Sequence, residues 1–486
     1  GRNIYGQLGN DTSGNYFYSP VATIGLCATQ ATTANPVMHS ISAGWSHSLY
    51  TCSSNQSLNS WGANSFGQLG NGSTSTGASA TAAPVLNITG VRSVDAGYQH
   101  TLALLNDSTV YAWGDNNYGQ LGDGTNNNSN APIQVPGLSN IIAVSGGTAG
   151  YHSIALRADG TVWTWGRNSE GQLGDATNNN SNVPLQVSSI SNVIAISGGE
   201  YHSLAIKDDG TVWAWGKNTN GQLGNGTTVD SNVPVQVTGL TDVVDVAAGR
   251  YYSIALKSDN SVWCWGENLY GQLGNGNTVD ASIPVQVSGL NDATAIAGGA
   301  FHGIAIKSDS TVVTWGRNTY GNLGNGTTTD SSIPVAVSNL TGIVAIDGGT
   351  NYSLALASND SLFSFGRNVF GQLGDGSTST QNSPVNVISL CTVVTEVAAS
   401  TNTTANEISI FPNPANDGKF KLKYTNALGQ EMLLNANQIQ MHNLIGEKVA
   451  YELNNNTIDI ANQPNGIYFI SVKQNEQIIN YKVVKQ

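Results

Sequence analysis

Residues 184–224 read PLQVSSISNVIAISGGEYHSLAIKDDGTVWAWGKNTNGQLG, and this stretch decides the fold. Pro184-Leu-Gln-Val is a short strand, and Val193-Ile-Ala-Ile is a second with a Gly-Gly end. His202-Ser-Leu-Ala-Ile alternates as a third. Asp209-Gly210 reads as a type I′ hairpin turn into a fourth, Thr211-Val-Trp-Ala-Trp-Gly. No helical periodicity intervenes. Four short antiparallel strands joined by hairpins describe one blade of a β-propeller; a solenoid is the alternative, but hairpin-linked units favour radial closure.

The unit repeats along the chain. Gly-Gln-Leu-Gly begins at Gly6, Gly67, Gly119, Gly171, Gly221, Gly271 and Gly371, and reads Gly-Asn-Leu-Gly at Gly321. An aromatic-Gly pair precedes it at Trp61, Trp113, Trp165, Trp215, Trp265, Trp315 and Phe365, with successive spacings of 52, 52, 50, 50, 50 and 50. A small-Gly pair stands before a His or Tyr seven times between Gly44 and Gly349, and in five of these copies Ser follows. These elements resemble the regulator of chromosome condensation repeat family over roughly residues 1–390. The resemblance implies a seven-bladed propeller, and seven complete units run from Pro20 to Gly376. Gly1 to Gly9 is an eighth copy of the blade end, and Pro384 to Ser400 looks like a degraded blade start. The resemblance implies that such fragments meet to close the ring; eight blades is the runner-up.

Composition agrees with an all-β chain. Of 486 residues only 10% are charged while 57 are glycine, which suits short strands and tight turns. The tail from Glu407 holds seven Lys and seven Asp or Glu, so the whole net charge of −13 belongs to the front portion. So acidic a body repels phosphate backbones and argues against nucleic-acid binding. No run of about 18 apolar residues exists to span a membrane as a helix. Cys27, Cys52, Cys264 and Cys391 show no zinc-type spacing; Cys27 and Cys52 can pair in an oxidising compartment or stand as unrelated small hydrophobes. The chain starts at Gly1 without an initiator Met, so its natural N-terminus is expected upstream and the lack of a signal peptide carries little weight.

The expected organisation is a propeller over 1–391, a Thr/Asn/Ala-rich linker over 392–406 and a small β-sandwich over 407–486. Seven strands are expected in the last part, including Gly446-Glu-Lys-Val. Its landmarks are Phe411-Pro412-Asn413-Pro414, Gly418-Lys-Phe, Leu444-Ile-Gly446, Pro464-Asn-Gly466-Ile-Tyr468 and Val483-Val-Lys485. They resemble the C-terminal sorting domain of the type IX (Por) secretion system. That implies contact with the secretion machinery and delivery to the medium or the outer surface of a Gram-negative cell.

Chemistry is hard to find. His47, His100, His152, His202 and His302 share one repeat position, where two further copies carry Tyr252 and Tyr352. One ligand per blade does not converge on a metal, so packed histidines holding the blade turn are the simpler reading. Trp163/Trp165 and Trp213/Trp215 lie two apart and face one side of a strand, to stack on sugars or, more simply, to fill the space between blades. Asp-Gly and Asn-Gly loops such as 122–125 are turn formers before they are calcium ligands. No nucleophile elbow, phosphate loop or repeated carboxylate pair appears, so no catalytic residue, metal or cofactor is assigned.

What varies between repeats is the pair before the shared His position, and six of the seven pairs hold an aromatic. Trp45, Tyr98, Tyr151, Tyr201, Arg250, Tyr251 and Phe301 are therefore expected around one rim, a composition typical of interface hot spots. The expectation is a non-catalytic propeller that binds a protein or surface macromolecule. Guanine-nucleotide exchange, implied by the family resemblance, and a carbohydrate-binding or carbohydrate-acting propeller are the alternatives.

Overall fold

Val212-Trp-Ala-Trp-Gly216 pairs on one side with His202–Lys207, and on the other with Ser231–Gln236, which follows it in the chain. The computed structural model describes residues 40–52, 57–147, 150–388 and 390 of the front part. Of the tail it describes 407–411, 419–425, 439–443, 448–454, 456–474 and 477–485. The eighth repeat end at Gly1–Gly9, Cys27, Cys391, the linker 392–406, Pro412, Asn413, Pro414, Gly418 and Gly446 lie outside the described residues. The chain divides into two compact units, Gly1–Cys391 and Thr392–Gln486.

Among the described residues of the first unit every regular element is a strand, and the strands form seven four-stranded antiparallel sheets. The first runs from Ile41–Ala43 to Ser75–Pro84, the fourth from Val193–Gly198 to Ser231–Gln236, and the seventh from Ile343–Gly348 to Gln381–Asn386. Two readings need correction. The Pro-x-x-Val strand closes the preceding blade rather than opening the next, since Trp163 pairs with Gln186. The blade frame therefore shifts by one strand, and Pro384 belongs to the complete seventh blade instead of a degraded start. The Asp209-Gly210 turn is also not type I′, because only Gly210 has positive φ (77°). Gly210 N–H bonds to Lys207 O at 2.9 Å, giving a three-residue loop with a left-handed third residue.

The Gly-Gln-Leu-Gly element joins blade to blade. The Gln120 carbonyl accepts Ser153 Oγ at 2.8 Å and the Trp165 indole N–H at 2.9 Å, both from the next blade. A side chain at Gly174 would sit 2.8 Å from the Trp215 ring, and one at Gly171 would sit 2.6 Å from Asn232 Cα. Glycine is required at both because neighbouring blades press directly on the loop. The six tryptophans from Trp61 to Trp315 in this position are fully buried and anchor the apolar layers between blades.

The seventh blade seals directly onto the first. Trp61 Nε1 donates to Gln372 O at 2.9 Å, and the Ala43 N–H donates to Asp347 Oδ2 at 2.8 Å. The ring thus closes at seven blades through the same contacts that join its interior blades. Cys52 is disulfide-bonded, with its partner outside the described residues, and Cys264 is a buried free thiol.

The second unit carries a four-stranded and a three-stranded sheet. Phe420, Leu422, Met441, Ile458, Ile470 and Val483 form its core. Of the expected strand Gly446-Glu-Lys-Val only Lys448 and Val449 are described; Lys448 makes an isolated bridge to His442, and a strand follows at Glu452–Asn454.

Candidate interaction rim

The two variable residues before each His or Tyr are the tip of a hairpin. Gly199 N–H bonds to His202 O at 2.8 Å and Gly249 N–H to Tyr252 O at 2.9 Å, leaving Glu200-Tyr201 and Arg250-Tyr251 at the turns. These tips are knit around the ring. Tyr98 N–H donates to Gly150 O at 2.8 Å and Arg250 N–H to Ala300 O at 3.1 Å, each across a blade boundary.

A second variable column, missed in the sequence reading, lands on the same rim. The residue after each aromatic-Gly pair donates its N–H to the hairpin tip: Arg167 to Tyr151 O (3.0 Å), Lys217 to Tyr201 O (2.9 Å) and Arg317 to Phe301 O (3.0 Å). A third column precedes Gly-Gln-Leu-Gly and supplies Tyr118, Tyr270, Tyr320 and Phe370. The signal was present, since both columns vary while their flanks repeat. Only strand pairing shows that the three columns share one edge.

Together they make a closed circuit. Trp45 stacks on Tyr98 (4.8 Å between centroids), Tyr98 on Tyr151 (4.6 Å), and Tyr118 meets Tyr151 edge-on (5.3 Å). Arg167 lies over Tyr118 and Tyr201 at 5.6 and 5.0 Å. Lys217 lies over Tyr201 and Tyr251 at 5.1 and 5.4 Å. Arg250 then bridges Tyr251 and Phe301 at 5.0 and 5.5 Å. Arg317 bridges Phe301 and Tyr320 at 5.2 and 5.8 Å, and Arg367 bridges Tyr320 and Phe370 at 5.5 and 5.9 Å. Phe370 returns to Trp45 at 5.6 Å. All seven expected rim residues are in this circuit, each half-buried with one part open to solvent.

A cavity of about 350 Å³ opens inside the circuit, lined by residues of six blades including Trp45, Tyr98, Tyr151, Tyr201, Arg250 and Thr350. A site shared by six blades lies on the ring axis. Its one buried carboxylate, Glu200 (5% exposed), pairs with Arg250 Nε at 2.7 Å. Burial pushes Glu200 above the ordinary carboxylate range against the pull of Arg250. Tyr201 is pushed up to about 12 by burial and by its hydrogen bond to Glu200. These groups are tied to one another by an ion pair and a hydrogen bond.

The histidines lie below the rim as latches between blades. His202 Nε2 meets Ser253 Oγ at 2.9 Å, and Ser253 Oγ in turn donates to Gln222 O at 2.9 Å. The hydroxyl proton is thus used, so the imidazole donates and stays neutral. Burial lowers all five pKa values to about 3. Trp165 and Trp215 are buried against neighbouring blades, so the fully packed member of each Trp pair offers no face to a sugar. In the Asp-Gly loops Asp123 accepts Thr125 N–H and the Asn116 amide at 2.9 and 3.1 Å, a turn-forming role.

In the second unit three expected landmarks are described. Lys485 Nζ donates to Ala461 O at 2.7 Å and to Gln463 O at 2.5 Å, while Gly466 pairs with Lys485 across the sheet. Tyr468 Oη donates to Pro464 O at 2.5 Å. The last strand and the Pro-Asn-Gly turn are locked together.

An RCC1-like domain matches residues 1–246 and 151–406, and a secretion system C-terminal sorting domain matches 409–486. The probable E3 ubiquitin-protein ligase HERC6 of Homo sapiens is 39% identical over 168 residues, 33% of this chain and 16% of that protein. The ultraviolet-B receptor UVR8 of Arabidopsis thaliana is 32% identical over 161 residues, 33% of this chain and 36% of the receptor. The match thus spans well under half the length of these relatives. Human WBSCR16 superposes with a TM-score of 0.58 at 26% identity, over 67% of this chain and 92% of that one. Yeast RCC1 (Prp20), solved bound to Kap60, gives 0.61 at 22% identity over 72% and 84%, a likeness of fold alone.

Proposed function

The chain belongs to the RCC1-like family and ends in a secretion-system sorting domain, and from that premise we propose that it is an exported, non-catalytic binding propeller. The sorting domain marks it for type IX secretion to the cell surface or the extracellular space. The proposed partner is a protein or other surface macromolecule, held at the rim formed by Trp45, Tyr98, Tyr151, Tyr201, Arg250, Tyr251 and Phe301.

One observation carries this reading: the repeat varies where its side chains converge, in a circuit of aromatic rings and cations around an axial cavity. Rings fixed on hairpin tips lose little freedom on binding. The non-catalytic part is supported by the use of the titratable groups, since Glu200 is committed to Arg250 and the histidines to inter-blade latches. The test is affinity capture of surface-extract proteins on the immobilised chain, with the Tyr201→Ala/Tyr251→Ala variant as comparison. Loss of the captured species in the folded variant supports the rim, and equal capture places the site elsewhere.

A further inference from the structure

The seven blades do not share the rim charge evenly. Arg167 is paired with Glu170 at 3.8 Å and Arg250 with Glu200 at 2.7 Å. Arg317 and Arg367, in the sixth and seventh blades, have no ion pair among the described residues. Each is instead held flat between rings. Arg317 lies 4.9 Å from the Tyr270 centroid and 5.2 Å from that of Phe301, and both guanidinium groups lie over Tyr320, at 5.8 and 5.5 Å. Arg317 Nε donates to Thr319 Oγ1 at 3.2 Å, and stacking fixes the plane of each guanidinium while leaving its terminal Nη donors to be satisfied from outside.

Leu269 (63% exposed) and Val369 (47%) are exposed apolar side chains that immediately precede Tyr270 and Phe370 of the ring circuit. The residues before Glu407 carry the whole net charge of −13, yet acidic residues such as Asp159, Asp209, Asp259 and Asp309 sit in the hairpin turns at the opposite end of the same strands. On the rim itself the sixth and seventh blades thus present two guanidinium groups, next to Glu267 in the same column of the fifth blade. A long polyanion meets general repulsion there, whereas a short segment with spaced carboxylates and apolar residues does not.

Resting on the rim reading above, we propose that this sector binds an extended acidic segment of a partner protein, two of whose carboxylates sit on Arg317 and Arg367. Residues i and i+2 of an extended chain point the same way, about 7 Å apart. That spacing suits two cations sharing one intervening ring. The bonds are bidentate guanidinium–carboxylate pairs, and the alternate residues meet Leu269 and Val369.

The test is fluorescence anisotropy with the full chain and a labelled peptide, Ac-Glu-Leu-Glu-Leu-Glu-amide. Its Gln-Leu-Gln-Leu-Gln counterpart and inorganic phosphate as competitor provide the other arms. The acidic peptide is expected to bind at least about tenfold tighter than the Gln peptide, with the Arg317→Gln/Arg367→Gln variant losing about tenfold at unchanged melting temperature. Equal binding of the two peptides, unchanged affinity in the variant, or full displacement by millimolar phosphate each overturns the proposal. If no peptide binds while Tyr201→Ala/Tyr251→Ala still abolishes capture of surface proteins, the rim reading stands and this ligand class falls.

Discussion

Tyr352 and His47 stand 305 residues apart and share a hydrogen bond of 2.6 Å, from the Tyr352 hydroxyl to the His47 carbonyl. Ser48 Oγ donates to the same hydroxyl at 2.9 Å, so one phenol ties the last blade to the first. Tyr252 makes the equivalent joint inside the ring, reaching His302 O at 2.5 Å. The closing seam is therefore built like an interior one. Tyr352→Phe and Tyr252→Phe are each expected to cost about 1–3 kcal/mol, since a buried carbonyl loses its donor. Urea unfolding with a single transition in both variants supports a sealed ring. No loss in Tyr352→Phe would show that the seam contributes nothing.

The buried histidines make the propeller acid-sensitive. Their pKa is about 3 in the fold and 6.5 as the ordinary value, so the unfolded chain binds more protons between these limits. Their stabilising contribution is present above pH 6.5 and is lost as pH falls toward 3. Asp347 works in the opposite direction: burial, then the nearby Asp95 charge, raises it to about 7 from 3.8. Its destabilising effect grows as pH rises from 3.8 to 7. Asp347→Asn is thus expected to be more stable than the parent at pH 8, with the difference vanishing near pH 4. Thermal melts across this range check both signs.

The repeat period and most strand segments were legible because Gly-Gln-Leu-Gly and Trp-Gly answer to packing that recurs at every blade boundary. The strand frame was not. Ser231–Gln236 alternates weakly and is half-exposed at the blade's outer edge, so its sequence does not say which neighbour it joins. The rim was half legible. Trp45 to Phe301 stood out as variation beside a fixed His, whereas Lys217 and Arg317 reach the same edge only through bonds to Tyr201 O and Phe301 O. In the second unit, Gly446-Glu-Lys-Val has strand composition, yet its described residue Lys448 makes an isolated bridge to His442 and a strand follows at Glu452–Asn454.

The two tryptophans of one strand should separate by burial. Trp215 is fully buried and donates to Gln172 O at 2.9 Å, whereas Trp213 keeps partial exposure beneath Lys207. Trp215→Ala is expected to cost about 3–5 kcal/mol and Trp213→Ala markedly less. Denaturant midpoints of the two variants measure this. Equal costs would undo the assignment of Trp215 as the inter-blade anchor.

Export should depend on the tail. Deleting Glu407–Gln486 is expected to leave the protein in the periplasm of its native host, as judged by fractionation and immunoblotting. Lys485→Ala releases the Ala461 and Gln463 carbonyls and should reduce surface delivery in the same direction. Normal delivery of the deletion variant would remove the sorting role.

The rim prediction is the most exposed to failure. Tyr201 and Tyr251 stack at 5.3 Å with planes 8° apart, and Lys217 lies over both rings. Neither ring is sealed between blades, so truncating them leaves the inter-blade Trp and His contacts untouched. A true hot spot costs at least about 2 kcal/mol when truncated, which corresponds to roughly 30-fold in affinity. Tyr201→Ala/Tyr251→Ala should therefore weaken binding of a captured partner by about that factor while the melting temperature stays within a few degrees of the parent. A large drop in melting temperature would make the two rings structural, and unchanged affinity in a folded variant would move the site off this rim.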